Sequence, residues 1–273
     1  MNVFGFNVYD KPVEDYFDYA LLHEIDHLEI DLNIAHSQLH TFTLPRIERL
    51  NQFSDQTGIR YSFHTDVDLN LAGNFFSRRS YIQNVLRCLE IAHEINATHV
   101  TCHLGHFNAL KPWSWQRKQM LDQAARSIEK IAAGFSESAV VLALENAAAA
   151  NGETETHQLG DCVDDFDHLF RVIQPGLVGM CLDVGHANTN DGVLAYMKQL
   201  GERICAIHFH DNHGVKDEHL GVGEGTVPRV DFAAAFMKRG NQPPCISECF
   251  RDEPHIAIRR LKEILADAAT PIP

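Results

Sequence analysis

The run VVLALEN, residues 140–146, holds five apolar residues followed by a carboxylate and an amide. In an extended strand side chains alternate between faces, so Glu145 shares one face with Ala143 and Val141, while Leu142 and Leu144 take the other. Bulky leucines on one side ask for a covering layer. Small residues ending in a carboxylate, on the other side, describe the inside of a closed sheet. MCLDVGH (180–186) repeats the pattern, with Asp183, Cys181 and Gly179 on one face and Leu182 and Met180 on the other. So does CAIHFHD (205–211), where His208 and Ala206 oppose Ile207.

Outward from these runs, short apolar stretches alternate with longer ones of helical period. Strands are expected over 2–8, 27–32, 59–64, 98–104, 140–145, 177–183, 203–209 and 244–249. Helices are expected over 12–24, 43–57, 78–96, 115–136, 163–173, 191–200, 230–239 and 254–267. The third helix has the clearest buried stripe, with Val85, Leu86, Leu89, Ile91 and Ala92 at i, i+3, i+4 spacing. Pro12, Pro45, Gly58, Gly176 and Pro254 punctuate the junctions. Eight strands alternating with eight helices in 273 residues fit an α/β fold, a (β/α)8 TIM barrel forming a single domain over residues 1–273. An open doubly wound sheet would carry a glycine-rich phosphate turn after its first strand, and GFNVYDKP is not one.

In such barrels the site lies at the C-terminal strand ends. Six consecutive expected strands end in a group able to ligate a metal: His64 in YSFHTD, His103 in VTCHLGH, Glu145, Asp183 with His186 just after it, His208, and Glu248 in CISECF. Ionisable groups facing a barrel interior are costly to desolvate unless paired or metal-bound. Imidazole and carboxylate without thiolate suit Zn, Mn, Fe or Co, Zn or Mn being expected first, rather than a thiolate-dominated structural zinc.

The bulk numbers narrow the partners. The formal net charge is −14, from 23 basic and 37 acidic residues, with no basic stripe, which speaks against a phosphate backbone as partner. No apolar run approaches the ~20 residues that span a bilayer, and the N-terminus lacks the features of a secretory signal, so a cytoplasmic location is expected. The seven cysteines include no CxxC and sit largely in apolar runs, as free thiols in a reducing compartment do.

With these residues in place, the chain resembles the xylose-isomerase-like TIM-barrel superfamily, which includes endonuclease IV, sugar isomerases and 3-epimerases, and inosose-processing enzymes. The motifs carrying the resemblance are SFHTDVDLNLAG, CHLGH, LALENA, LDVGHAN, IHFHDN, GVGEGTVP and ISECF, in order over nearly the whole chain. The resemblance implies one metal on Glu145, Asp183, His208 and Glu248, with Glu145 and Glu248 as acid/base groups for a small sugar or sugar phosphate, through an enediolate. It also implies an alternative. In endonuclease IV three zinc ions cleave a phosphodiester, and the matching positions here are His64, His103 and Glu145 for the first ion, and Glu145, Asp183, His208 and Glu248 for the second. His186, Asp217 and His219 match the third, the last two on an extended loop. One to three ions are therefore expected. Against DNA stand the charge, the TDV after His64, and the acidic character of NAAAANGETETHQLGD. A third reading is a metal-binding barrel without catalysis.

His106, His210 and Arg251 lie beside the expected ligands and are candidates for substrate contact. Trp113, Trp115, Phe75 and Phe76 are expected at the barrel mouth, against a sugar or packing helix N-termini. GVGEG (221–225) reads as a turn folding the loop back over the site. The resemblance raises a homo-oligomer, with no interface legible in the chain.

Overall fold

A computed structural model describes residues 3–110, 113–135, 138–150, 154–173, 176 and 178–269. Eight parallel strands close into a barrel: β1 (Phe4–Val8), β2 (His27–Asp31), β3 (Arg60–His64), β4 (His99–His103), β6 (Val141–Glu145), β8 (Val178–Asp183), β9 (Ile204–Phe209) and β10 (Cys245–Ser247). β10 pairs with β1, which closes the ring and leaves no barrel edge. β5 (His106–Asn108) and β7 (Thr156–Gln158) form a separate antiparallel ribbon.

The covering helices are α1 (Phe17–Leu22), α2 (Leu44–Thr57), α3 (Phe75–Glu94), α4 (Ser114–Gly134), α5 (Val163–Val172), α7 (Val193–Leu200), α8 (Arg229–Met237) and α9 (Pro254–Ala269), with the single turn α6 (Val184–Asn188) at the end of β8. Outward-facing strand residues such as Leu142, Leu144, Met180, Leu182 and Ile207 are buried against these helices in the main core. Ala143, Cys181 and Ala206 form a small cluster of their own inside the barrel.

The expected strands all form, slightly shortened. The helices differ where local chemistry overrides period. The first is not continuous over 12–24: a 3-10 turn, Val13–Tyr16, follows Pro12 and α1 covers only Phe17–Leu22. α3 starts at Phe75 rather than 78 because Asn74 caps it, its Oδ1 accepting from the Phe76 and Ser77 amides at 3.0 and 3.1 Å. A register shift between Met180 and Cys181 lets Cys205 pack against the interior cluster. Gly179 leaves it room, since a Cβ there would sit 2.5 Å from the Cys205 Sγ. All seven cysteines are free thiols. No helix among the described residues is long and apolar enough to cross a membrane.

Candidate metal centre

The C-terminal strand ends converge on one cavity of about 420 Å³. His64 ends β3, His103 ends β4, Glu145 ends β6 and Asp183 ends β8, while His208 is the penultimate residue of β9 and Glu248 directly follows β10. Asp183 also caps α6, its Oδ1 accepting from the His186 amide at 2.6 Å, which fixes His186 over the same cavity. Asp217 and His219 reach it from the β9–α8 loop. They do not do so by extension: His219 adopts φ +47°, in the left-handed region, and this kink sets its Nε2 3.2 Å from Asp217 Oδ2.

Four donor groups result, three of which share members, His64, His208 and Glu248 forming one of these. Glu145, Asp183, His208 and Glu248, all buried, form the inner group; His64, His103 and Glu145 form a second; His186, His210, Asp217 and His219 form an outer one. Glu145 joins the first two. Its Oε1 lies 2.9 Å from His208 Nδ1, and its Oε2 lies 3.0 and 3.2 Å from the Nε2 atoms of His64 and His103. Glu248 Oε1 approaches the same His208 Nδ1 at 3.3 Å. A further acidic grouping, Asp161, Cys162 and Asp165, is already occupied by the Arg117 guanidinium, whose Nε donates to Asp165 at 2.8 Å.

The imidazoles are oriented as metal ligands are. His64 Nδ1 lies 2.8 Å from the Thr65 carbonyl, His186 Nδ1 2.8 Å from that of Asn146, and His219 Nδ1 2.8 Å from that of Glu248. Each ring donates there through Nδ1–H, which turns Nε2 toward the cavity, where it can ligate an ion once it has lost its proton. His208 is reversed. Its Nε2 lies 2.9 Å from Glu29 Oε2, and its Nδ1 faces the carboxylates.

Glu29 belongs to a polar layer beneath the site. It is fully buried in β2 and accepts from Ser62 Oγ (3.1 Å), Thr101 Oγ1 (3.2 Å) and Asn7 Nδ2 (3.3 Å). Burial raises the Glu29 pKa, but the His208 ring and its hydrogen bond outweigh that and hold the carboxyl well below the ordinary range. His27, stacked on His99 at 5.7 Å, is pushed down to about 3 by burial and by His99, so it sits neutral.

A divalent cation fits these donors. Asp183 Oδ2 is buried with no hydrogen-bond partner, although Oδ1 is satisfied. Without an ion, protons must balance the carboxylates. Burial lowers the His64 pKa, but the Glu145 hydrogen bond and charge raise it further, to about 10. Burial likewise lowers the His219 pKa, but the Asp217 hydrogen bond and the Glu248 and Asp217 charges outweigh it and raise it to about 9. Glu248 is raised by burial and by Glu145. Rings that hold protons at pH 7 must lose them to ligate. Zinc binding is therefore expected to release protons at pH 7, and affinity should rise with pH until the rings deprotonate unaided, near 9–10. Titration calorimetry in buffers of different ionisation enthalpy measures this; a heat independent of buffer would refute it.

His106, Arg251 and the four aromatics are not brought to this cavity. The β5–β7 ribbon places His106 on a neighbouring cavity with Trp115, and its carbonyl accepts from Asn70. Arg251 is exposed one residue beyond Phe250 and does not line the central cavity. Phe75, Phe76, Trp113 and Trp115 are exposed and also stand outside it. Asn7, Asp31, Asn33, Gln158 and Phe250 line it instead, none singled out by the strand-end pattern. Phe250 stacks on His219 with centroids 4.3 Å apart.

A closed parallel barrel with carboxylates and imidazoles gathered at its C-terminal mouth defines a class of TIM barrel. The chain belongs to the xylose isomerase-like TIM barrel family, whose model matches residues 17–269. Among curated proteins it is 27% identical over 206 residues to an uncharacterized protein of Methanocaldococcus jannaschii, MJ1311, covering 74% of this chain and 68% of that one. Among solved structures it is similar to a D-tagatose 3-epimerase-like protein, with TM-score 0.80, 23% identity, and 97% and 96% of the two chains covered. It is also similar to the IOLI protein with a bound zinc atom, with TM-score 0.78, 14% identity and 98% of each chain covered. At these identities the two structures show a shared fold.

Proposed function

We propose that the protein is a divalent-metal enzyme that isomerises or epimerises a small, uncharged sugar by moving a proton on a carbon next to a carbonyl. The observation that carries this is the paired approach of Glu145 and Glu248 to His208 Nδ1 on the floor of a small polar cavity. One carboxylate takes the proton from carbon, and a carboxyl returns a proton to the opposite face or the adjacent carbon, so the product differs only in configuration or carbonyl position. A zinc or manganese ion held by Glu145, Asp183, His208 and Glu248 would polarise the carbonyl and acidify the neighbouring C–H. Asn7, Asp31, Asn33 and Gln158 present donors and acceptors for hydroxyl groups, and the Phe250 ring offers an apolar wall. Among the described residues no Lys or Arg lines the cavity, which favours a neutral sugar over a phosphorylated one and argues against nucleic acid. The free thiols suit a cytoplasmic setting. A homo-oligomer, raised by the resemblance, belongs to the same proposal.

A second reading rests on His64 and His103, which meet Glu145 Oε2 and make it a candidate bridging ligand. A bridging carboxylate has no free oxygen to take a proton from carbon, and paired ions suit hydrolysis of a phosphodiester. The purified protein, loaded with Mn(II) or Zn(II) and incubated with a panel of ketoses in D2O, is expected to incorporate deuterium beside the carbonyl. Phosphodiester cleavage with no exchange on any ketose would install the second reading. Neither activity in a metal-loaded protein would leave a binding barrel without catalysis.

A further inference from the structure

We infer that His210 is a fourth protein ligand of the outer ion position. The set His186, His210, Asp217 and His219 is then coordinatively closed, and holds an ion that pins the β9–α8 loop rather than one that meets substrate. This rests on the reading of the mouth as a metal centre.

His210 follows β9 directly, two residues after His208 and therefore on the same inward side of the chain. It is completely buried, and its Nε2 has no hydrogen-bond partner. That nitrogen lies 3.2 Å from Asp183 Oδ1 and 3.4 Å from Asp217 Oδ1, without hydrogen-bond alignment. The other ring nitrogen, Nδ1, faces the Asp211 carbonyl at 3.4 Å. Either neutral tautomer therefore sets one nitrogen lone pair against oxygen lone pairs. With Nδ1–H directed at the carbonyl, as in His64, His186 and His219, the conflict falls on Nε2, and a proton removes it in the absence of an ion while a metal cation takes that place when one binds. The ligand atoms of the four residues all lie within 4.8 Å of one another.

The ring is held for this task. It stacks on His219 with centroids 3.9 Å apart at 19° and meets His186 edge-on at 5.4 Å. Gly185 closes the remaining side, where a Cβ would fall 2.0 Å from the His210 ring, so only glycine admits the imidazole. The loop is already tied at its base by Asp211, whose carboxylate accepts from the Asn212, Gly223 and Val227 amides. Its outer arc carries Asp217 and the left-handed His219, a conformation that persists where surrounding contacts enforce it. Four protein ligands leave no open position, which is the mark of a structural ion. The outer group thereby ceases to argue for hydrolysis.

The test uses Co(II) as the probe on the full chain stripped by chelator. Proton NMR counts the exchangeable, hyperfine-shifted imidazole N–H signals as successive equivalents bind, and visible absorption reports coordination number. Wild type is expected to show an outer ion with three imidazole N–H signals and intense four-coordinate absorption. His210→Gln should remove one of those signals and weaken outer-ion binding at least tenfold, with circular dichroism unchanged. His219→Ala assigns the outer-ion spectrum. Affinity alone does not decide, because a neighbour that only orients a ligand also costs ~10–100-fold; the signal count does. An outer ion with two imidazole signals, unchanged in His210→Gln, would overturn the inference while leaving the metal centre standing. No Co(II) uptake at all would overturn both.

Discussion

Glu145→Gln is expected to lower solvent-deuterium exchange by about 10³-fold or more while the far-ultraviolet dichroism stays that of the wild type. The substitution keeps shape and removes charge, so it isolates chemistry from packing. Both Glu145 oxygens are engaged, Oε1 with His208 and Oε2 with His64 and His103. An amide cannot present oxygen on both sides; its NH2 must face either the His208 Nδ1 or the two Nε2 atoms, where an ion or a proton is needed. Metal content should therefore fall together with exchange. Glu248→Gln separates the two effects. Glu248 also belongs to two donor groups, but its contacts to His208 and Asn7, both at 3.3 Å, fall on Oε1 alone, so an amide keeping its oxygen there should retain more of the ion than Glu145→Gln and still lose exchange. Exchange near the wild-type rate in both variants would remove the carboxylate pair from the mechanism.

The asymmetry between these carboxylates also marks what the sequence makes legible. Alternation in VVLALEN and MCLDVGH places Glu145 and Asp183 on the inner face, because a period of two survives in any strand of five residues. The barrel follows from eight such runs. The β5–β7 ribbon does not, since three residues on each side are too few to show a period, and with it went the position of His106. The start of α3 lay in a cap rather than in hydrophobic spacing: Asn74 is the signal, and FFS within the first turn carries no stripe. Strand ends are where chemistry is expected, so attention to them passes over charged residues in strand middles. HLEID in β2 puts His27, Glu29 and Asp31 on one face, and that alternation was available to reveal a polar layer. Its partners, Asn7, Ser62 and Thr101, are unremarkable residues on separate strands, and only closure of the barrel brings them together.

That layer supplies the second large effect. Glu29→Ala is expected to cost about 3–5 kcal/mol of folding stability, because removing one partner of a buried charged network leaves the others unpaired. Ser62, Thr101 and Asn7 donate to this fully buried carboxylate, and the His208 Nε2 lies 2.9 Å from it. Urea unfolding measures the loss. Glu29→Gln should instead fold, and its deficit should appear at the metal. The Glu29 carboxylate, 2.9 Å from His208 Nε2, favours the proton on that nitrogen and leaves Nδ1, 2.9 Å from Glu145 Oε1, as the atom that meets an ion, and its charge makes the ring a better donor. A neutral amide accepts more weakly and competes for orientation with the Asn7 and Ser62 donors, so zinc affinity should fall ~10–100-fold, as for other partners of metal-bound histidines. Competition against a chelator of known affinity reads this directly. A Gln variant that binds zinc as tightly as wild type would show that the ring is positioned by its other neighbours, the stacked His64 and the Glu145 carboxylate. The Glu29 carboxylate would then be a structural group of the barrel interior with no bearing on the mouth.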